Sequence, residues 1–237
     1  MNIKNSLKNL FVSGMIVAGA NAYAHGADHD GHEGHATPQQ NTTTQSISFD
    51  IAGLQKEDNT TLKANEYDDK KQFWFFGFTN CPHICPVDMA NIHAALREIK
   101  AENGDEAFNT AIENHKFYML SVDPDRDTPK AMDEWINNFG DIFEGITAVT
   151  EQQEAQLNTV KTSARALVGG NYQSHKSFVY VIDGDNKTVL DKQNAFGSHE
   201  KVHDQLVEFF SENLGLDAPE QNLSHNGQDT VQHMEHH

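Results

Sequence analysis

The chain has 237 residues and a formal net charge of −18, enough for one ordinary domain with tails but not for two full domains. A surface this acidic repels phosphate backbones and anionic lipid, which excludes nucleic acid as a partner and disfavours a membrane surface. Cationic partners and metal ions suit it.

At the start, Lys4 and Lys8 precede an apolar stretch over residues 10–20, and Ala22-Tyr23-Ala24 fits an A-x-A cleavage site. The stretch is too short for a bilayer, which takes roughly 20 apolar residues. Residues 1–24 therefore predict a removable export signal and no stable membrane insertion. Export leads to an oxidising compartment, the periplasm in a bacterium. The signal carries two lysines and no acid, so the remaining chain has a charge of −20. Residues 25–45 hold His25, His29, His32 and His35, then a polar run without apolar periodicity, and read as a flexible His-rich arm. Residues 217–237 end in His233, Met234, His236 and His237 and read as a second such tail. Both are expected to be solvated chain with incidental metal affinity; metal capture by the N-terminal arm is the alternative.

Residues 46–216 alternate strand and helix. Ile47, Phe49 and Ile51 alternate and predict a short strand. Residues 72–78 carry the run Phe73-Trp74-Phe75-Phe76, as in a strand buried on both faces. Met89, Ile92, Leu96 and Ile99 give a helix over 87–102, and residues 116–122 form the next strand. Thr128-Pro129 starts a helix that runs to 139, with Thr as N-cap and Pro in the first turn. After a strand at 145–149, Thr150 and Gln153 form a capping box for a helix reaching 167. Strands at 178–182 and 188–191 flank Asp183-Gly184-Asp185-Asn186, a hairpin signal. A last amphipathic helix covers 198–214. Helical crossovers imply parallel pairing and the hairpin an antiparallel edge, which together predict a three-layer α/β sandwich with a mixed central sheet. Thioredoxin-like folds have this arrangement.

Cys81 and Cys85 are the chain's two cysteines, placed where a buried strand passes into a helix and flanked by Pro82 and Pro86. A structural disulfide is the plain reading for an exported protein, but so short a loop yields little stabilisation. Unpaired N–H groups at a helix start favour thiolates, so depressed thiol pKa values are expected. If the segment is helical, the four-residue separation puts both side chains on one face. Two thiolates suit a soft ion such as Cu(I), and an imidazole would complete the site. His175, just before the strand at 178, is the candidate. His83 is expected to face solvent. Asp123 and Asp127 read as turn and cap residues, or as groups that modulate the site from the same sheet end.

Three segments share a resemblance. Phe76-Gly77-Phe78-Thr79-Asn80-Cys81-Pro82-His83-Ile84-Cys85-Pro86 resembles the F-x-F-T-x-C-P-x-x-C-P signature of the Sco/SenC family. Ser121-Val122-Asp123-Pro124-Asp125-Arg126-Asp127-Thr128-Pro129 resembles the family's S-V-D-P-x-R-D-T-P, and His175 its late histidine before a strand. The resemblance covers residues 46–216. It implies a thioredoxin-like fold, Cys81, Cys85 and His175 as copper ligands, and delivery of copper to a client such as a cytochrome oxidase subunit. Alternatively, Cys81 and Cys85 form the redox-active pair of a thiol–disulfide oxidoreductase. This chain departs from the pattern with His83 and Lys176, where the family usually has an acid and a serine. C-x-x-x-C in place of C-x-x-C, and no proline over 171–178, favour the metallochaperone over a general oxidoreductase.

Overall fold

The computed structural model describes residues 48–169, 171–197 and 199–219. The expected export signal, the N-terminal His-rich arm, Ile47 and the tail from residue 220 lie outside the described residues.

Among the described residues, eight strands and four α-helices follow in order: β1 (Gln55–Lys56), β2 (Lys71–Gly77), α1 (Ile84–Glu113), β3 (His115–Ser121), α2 (Pro129–Ile136), β4 (Glu144–Thr147), α3 (Glu151–Ser163), β5 (Leu167–Val168), β6 (Asn171–His175), β7 (Phe178–Asp183), β8 (Thr188–Asn194) and α4 (His199–Leu214). Six strands form one sheet in the order β1-β4-β3-β2-β7-β8. The β2–β3 and β3–β4 pairs are parallel, while β7 lies antiparallel to both β2 and β8. No helix among the described residues is long and apolar enough to cross a membrane.

The aromatic run fills both faces of β2. Phe73 stacks on Phe117 with ring centroids 4.6 Å apart and meets Phe210 of α4 at 5.4 Å. Pointing the other way, Trp74 meets Phe49 at 6.3 Å and Phe76 meets Tyr180 at 5.5 Å. Side chains of successive strand residues point to opposite faces, so this central strand, covered on both, is apolar from Phe73 to Gly77. Helix starts follow the sequence signals. Thr128 Oγ1 accepts from the Ala131 amide at 3.2 Å, with Pro129 leading the helix. Thr150 Oγ1 accepts from the Gln153 amide at 3.2 Å, while the Gln153 side chain returns to the Val149 amide. At the hairpin, Asp183 Oδ1 accepts from the amides of Asp185 and Asn186.

Four expectations change. Residues 48–51 form no strand. Asp50 Oδ1 instead accepts from the Ala52 amide at 3.0 Å, an Asx turn that bends the chain and leaves Phe49 and Ile51 as buried anchors. Helix α1 begins earlier and ends later than 87–102, with a break at Gly104 in the left-handed region. Helix α3 stops at Ser163, because Arg165 turns left-handed and the Ala166 amide bonds back to the Lys161 carbonyl at 2.9 Å. The freed residues enter β5, whose antiparallel partner β6 occupies residues 171–175, where the sequence pattern predicts no element.

Candidate metal centre

Residues 78–83 carry the chain from the end of β2 into α1. The Cys81 amide closes this turn onto the Phe78 carbonyl at 3.1 Å. His83 holds the N-cap position with non-helical backbone and no capping side-chain bond, and it is exposed as expected. The Cys85 amide, one of the unpaired donors of a helix start, donates to Cys81 Sγ at 3.3 Å. Cys81 therefore lies outside the helix. A sulfur acting as cap acceptor, not a shared helix face, brings the two thiols together.

Cys85 Sγ needs room at the end of β2, and Gly77 supplies it. A Cβ there would stand 2.9 Å from Phe75 Cε1, 3.1 Å from Met119 Cε and 3.3 Å from Cys85 Sγ. Strand β6 delivers His175 to the same place, with Nε2 at 3.1 Å from Cys85 Sγ. Phe78 and Phe75 meet the imidazole edge-on, at centroid distances of 5.7 and 6.4 Å. The donor atoms of Cys81, Cys85 and His175 all lie within 4.8 Å of one another, and all three residues are buried. No other group of three His, Cys, Asp or Glu among the described residues comes together in this way. Both cysteines are free thiols.

Burial sets the protonation states. It holds His175 below its ordinary value, which favours the neutral imidazole that ligates metal. It also pushes the Cys85 thiol well above its ordinary value, with the neighbouring Cys81 adding to the rise. This reverses the depressed value expected from the helix start, because loss of water outweighs the first-turn amides at this depth.

Asp127 fixes the loop from below. Its Oδ1 accepts from the Thr79 amide at 3.0 Å and the Thr79 hydroxyl at 2.7 Å, and its Oδ2 accepts from Ser121 Oγ at 2.6 Å. Burial raises this carboxyl, and the Ser121 and Thr79 bonds oppose the rise. Of the two readings for this aspartate, the structure supports support of the site: Asp127 holds the residue two before Cys81. Asp123 is buried and pairs with exposed Arg126 in the same turn. Sequence reasoning missed Thr79, Ser121, Gly77 and Asp88. Asp88 is fully buried one turn beyond Cys85, with the Ser177 hydroxyl as its polar neighbour. Burial lifts it to about 7, and the nearby Ser177 hydroxyl offsets only part of that. An acid in the first turns of a helix reads as a favourable dipole partner, so nothing in the local pattern marks it as buried. His93, His115 and His203 lie apart from the cluster.

The sheet order, the helix after the first central strand and the buried Cys2His cluster at that helix start define a thioredoxin-like domain with a built soft-metal site. A family model described as SCO1/SenC matches residues 39–211. The chain belongs to the SCO1/SenC family. It is 32% identical over 122 residues to a SCO2-like protein of Rickettsia conorii, a match covering 48% of this chain and 53% of that protein. It is 29% identical over 129 residues to a SCO1 homologue of Bacillus subtilis, covering 52% of this chain and 62% of that one. The matches thus span about half the length of these relatives. Among solved structures, Arabidopsis thaliana ScoI with copper bound aligns with a TM-score of 0.52 and 21% identity, covering 70% of this chain and 99% of that one. BsSco, described as a member of the Sco family of cytochrome c oxidase assembly proteins, aligns with a TM-score of 0.51 and 24% identity, covering 72% and 95%. These likenesses establish the fold.

Proposed function

We propose that this chain is an exported metallochaperone whose Cys81, Cys85 and His175 carry one copper ion to a respiratory cytochrome oxidase or a related cuproprotein. The observation that carries this reading is the convergence of two thiols and a neutral imidazole within 4.8 Å in a buried site. That spacing only slightly exceeds twice a metal–sulfur bond of about 2.3 Å, so small side-chain adjustments let one ion reach all three. Thiolate and imidazole are the donors that copper favours. Copper here is cargo, held by residues of a turn and a short hairpin from which ligand exchange with a client can proceed. The copper-bound Arabidopsis relative and the oxidase-assembly role stated for BsSco support the same reading. Residues 1–24 supply the export signal and residues 46–216 the working domain. Mixing the copper-loaded chain with a copper-free oxidase copper-binding domain tests delivery. Growth of the acceptor's copper absorption with one-for-one loss from the donor is expected, and no transfer would contradict it.

A thiol–disulfide reductase is the second reading. Two free thiols whose sulfurs lie within 4.8 Å of each other favour it. Reduction of an oxidised client by metal-free protein, with Cys81 and Cys85 joining as a disulfide, would support this reading over delivery.

A further inference from the structure

Lys161 of α3 is 5% exposed, and its ammonium makes no ion pair or hydrogen bond among the described residues. It lines a cavity of about 540 Å³ together with Arg165, Leu167, Val168, Gly169 and Lys176. Three of the chain's 17 Lys and Arg thus share one cavity in a molecule of net charge −18. No Asp or Glu lines it. Burial draws Lys161 below the ordinary lysine value, and the charges of Glu154, Asp123 and Asp125 oppose this. The end of α3 is a favourable place for cations, which accounts for exposed Arg165. It does not account for Lys161, whose stem is buried while its ammonium lines this cavity without a protein acceptor.

We propose that this cavity is a binding site for a small multivalent oxyanion, held by Lys161, Arg165 and Lys176. Phosphate and organic polycarboxylates share that chemistry; Leu167 and Val168 offer an apolar wall to the carbon skeleton of the latter. The site borders the metal centre through the backbone. Leu167 pairs with His175, and the Lys176 amide donates to the Ala166 carbonyl at 2.7 Å. An anion here would tie α3 to the hairpin that carries His175. This inference goes beyond copper binding and does not depend on it.

Calorimetric titration of the full-length, metal-free chain at low ionic strength tests it, with inorganic phosphate and citrate in separate arms. A pH of about 8 keeps the histidines of both tails neutral. One saturable site per chain is expected, weakened roughly tenfold or more in Lys161→Met and in Arg165→Gln/Lys176→Gln. Saturation by phosphate alone identifies a compact tetrahedral anion as the ligand class; saturation by citrate alone identifies a polycarboxylate. The double variant changes residues outside the core, so it reads the site even if Lys161→Met fails to fold. Absence of saturable binding in both arms, or unchanged affinity in the double variant, would overturn the proposal.

Discussion

Cys85 Sγ and His175 Nε2 meet at 3.1 Å although 90 residues separate them. The sequence distance is closed by topology. β7 runs antiparallel to β2, so the residues just before β7 arrive beside the end of β2 and the start of α1. The contact joins a thiol raised by burial to an imidazole lowered by it.

That pairing fixes the sign of the pH dependence of metal binding. Below its raised pKa, Cys85 carries a proton in the metal-free protein and must release it to bind. His175 is neutral near neutral pH and releases none. Copper(I) affinity should therefore rise with pH, by about tenfold per unit for each proton displaced. Competition titrations between about pH 6 and pH 8 check this. A flat profile would show that Cys85 is not displaced as a thiol.

Asp127→Ala should harm both stability and site. It removes the acceptor for the Thr79 amide and for the Thr79 and Ser121 hydroxyls, all in or beside the core. Unfolding by urea should show a loss of roughly 2–4 kcal/mol. Copper affinity should also fall, because the turn carrying Cys81 loses its anchor. Asp127→Asn keeps one carbonyl acceptor and should recover part of both. A variant as stable as the wild type would mean that water replaces these bonds.

Asp88 makes stability fall with rising pH. Its folded-state value of about 7 stands above the ordinary 3.8. Its contribution is therefore fully present below the ordinary value and lost as pH rises toward 7, on the order of 4 kcal/mol at most. Denaturation of wild type and Asp88→Asn at about pH 5 and pH 8 separates this from other titrations. The variant should gain relative stability at the higher pH, whereas an equal difference at both would contradict a carboxyl raised by burial.

Gly77→Ala places a methyl against Phe75, Met119 and Cys85 Sγ in one step. Overpacking of this kind costs about 1–3 kcal/mol. Thermal unfolding should register that loss. Cys85 Sγ is one of the three neighbours, so copper affinity should fall as well, with unchanged affinity showing that the ring or the methionine yields instead.

The parts legible in the sequence are those with a short-range physical signature. The β2 run had to be a buried strand because four consecutive aromatics cannot face water on alternate sides. Thr128-Pro129 and Thr150 marked helix starts that the backbone obeys. The Cys81–Cys85 spacing indicated closeness, though capping by sulfur, not helical register, achieves it. The β5–β6 hairpin was invisible because residues 167–175 lack apolar alternation and pair only in a tertiary setting. The raised Cys85 thiol was misjudged for a related reason: the helix-start argument contains no burial. Likewise, Lys161 sits in a stretch of polar helix residues, and only the fold buries it.

The central claim is tested most directly by copper titration of the reduced full-length chain beside Cys81→Ser, Cys85→Ser and His175→Ala. The readouts are the sulfur-to-copper charge-transfer band with Cu(II) and the tightest binding step with Cu(I). The expected result is one tight equivalent per chain with that band. Each cysteine variant should lose it, and the histidine variant should bind at least about a hundredfold more weakly. Tight binding that survives all three substitutions would place the metal elsewhere and contradict a Cys81–Cys85–His175 centre.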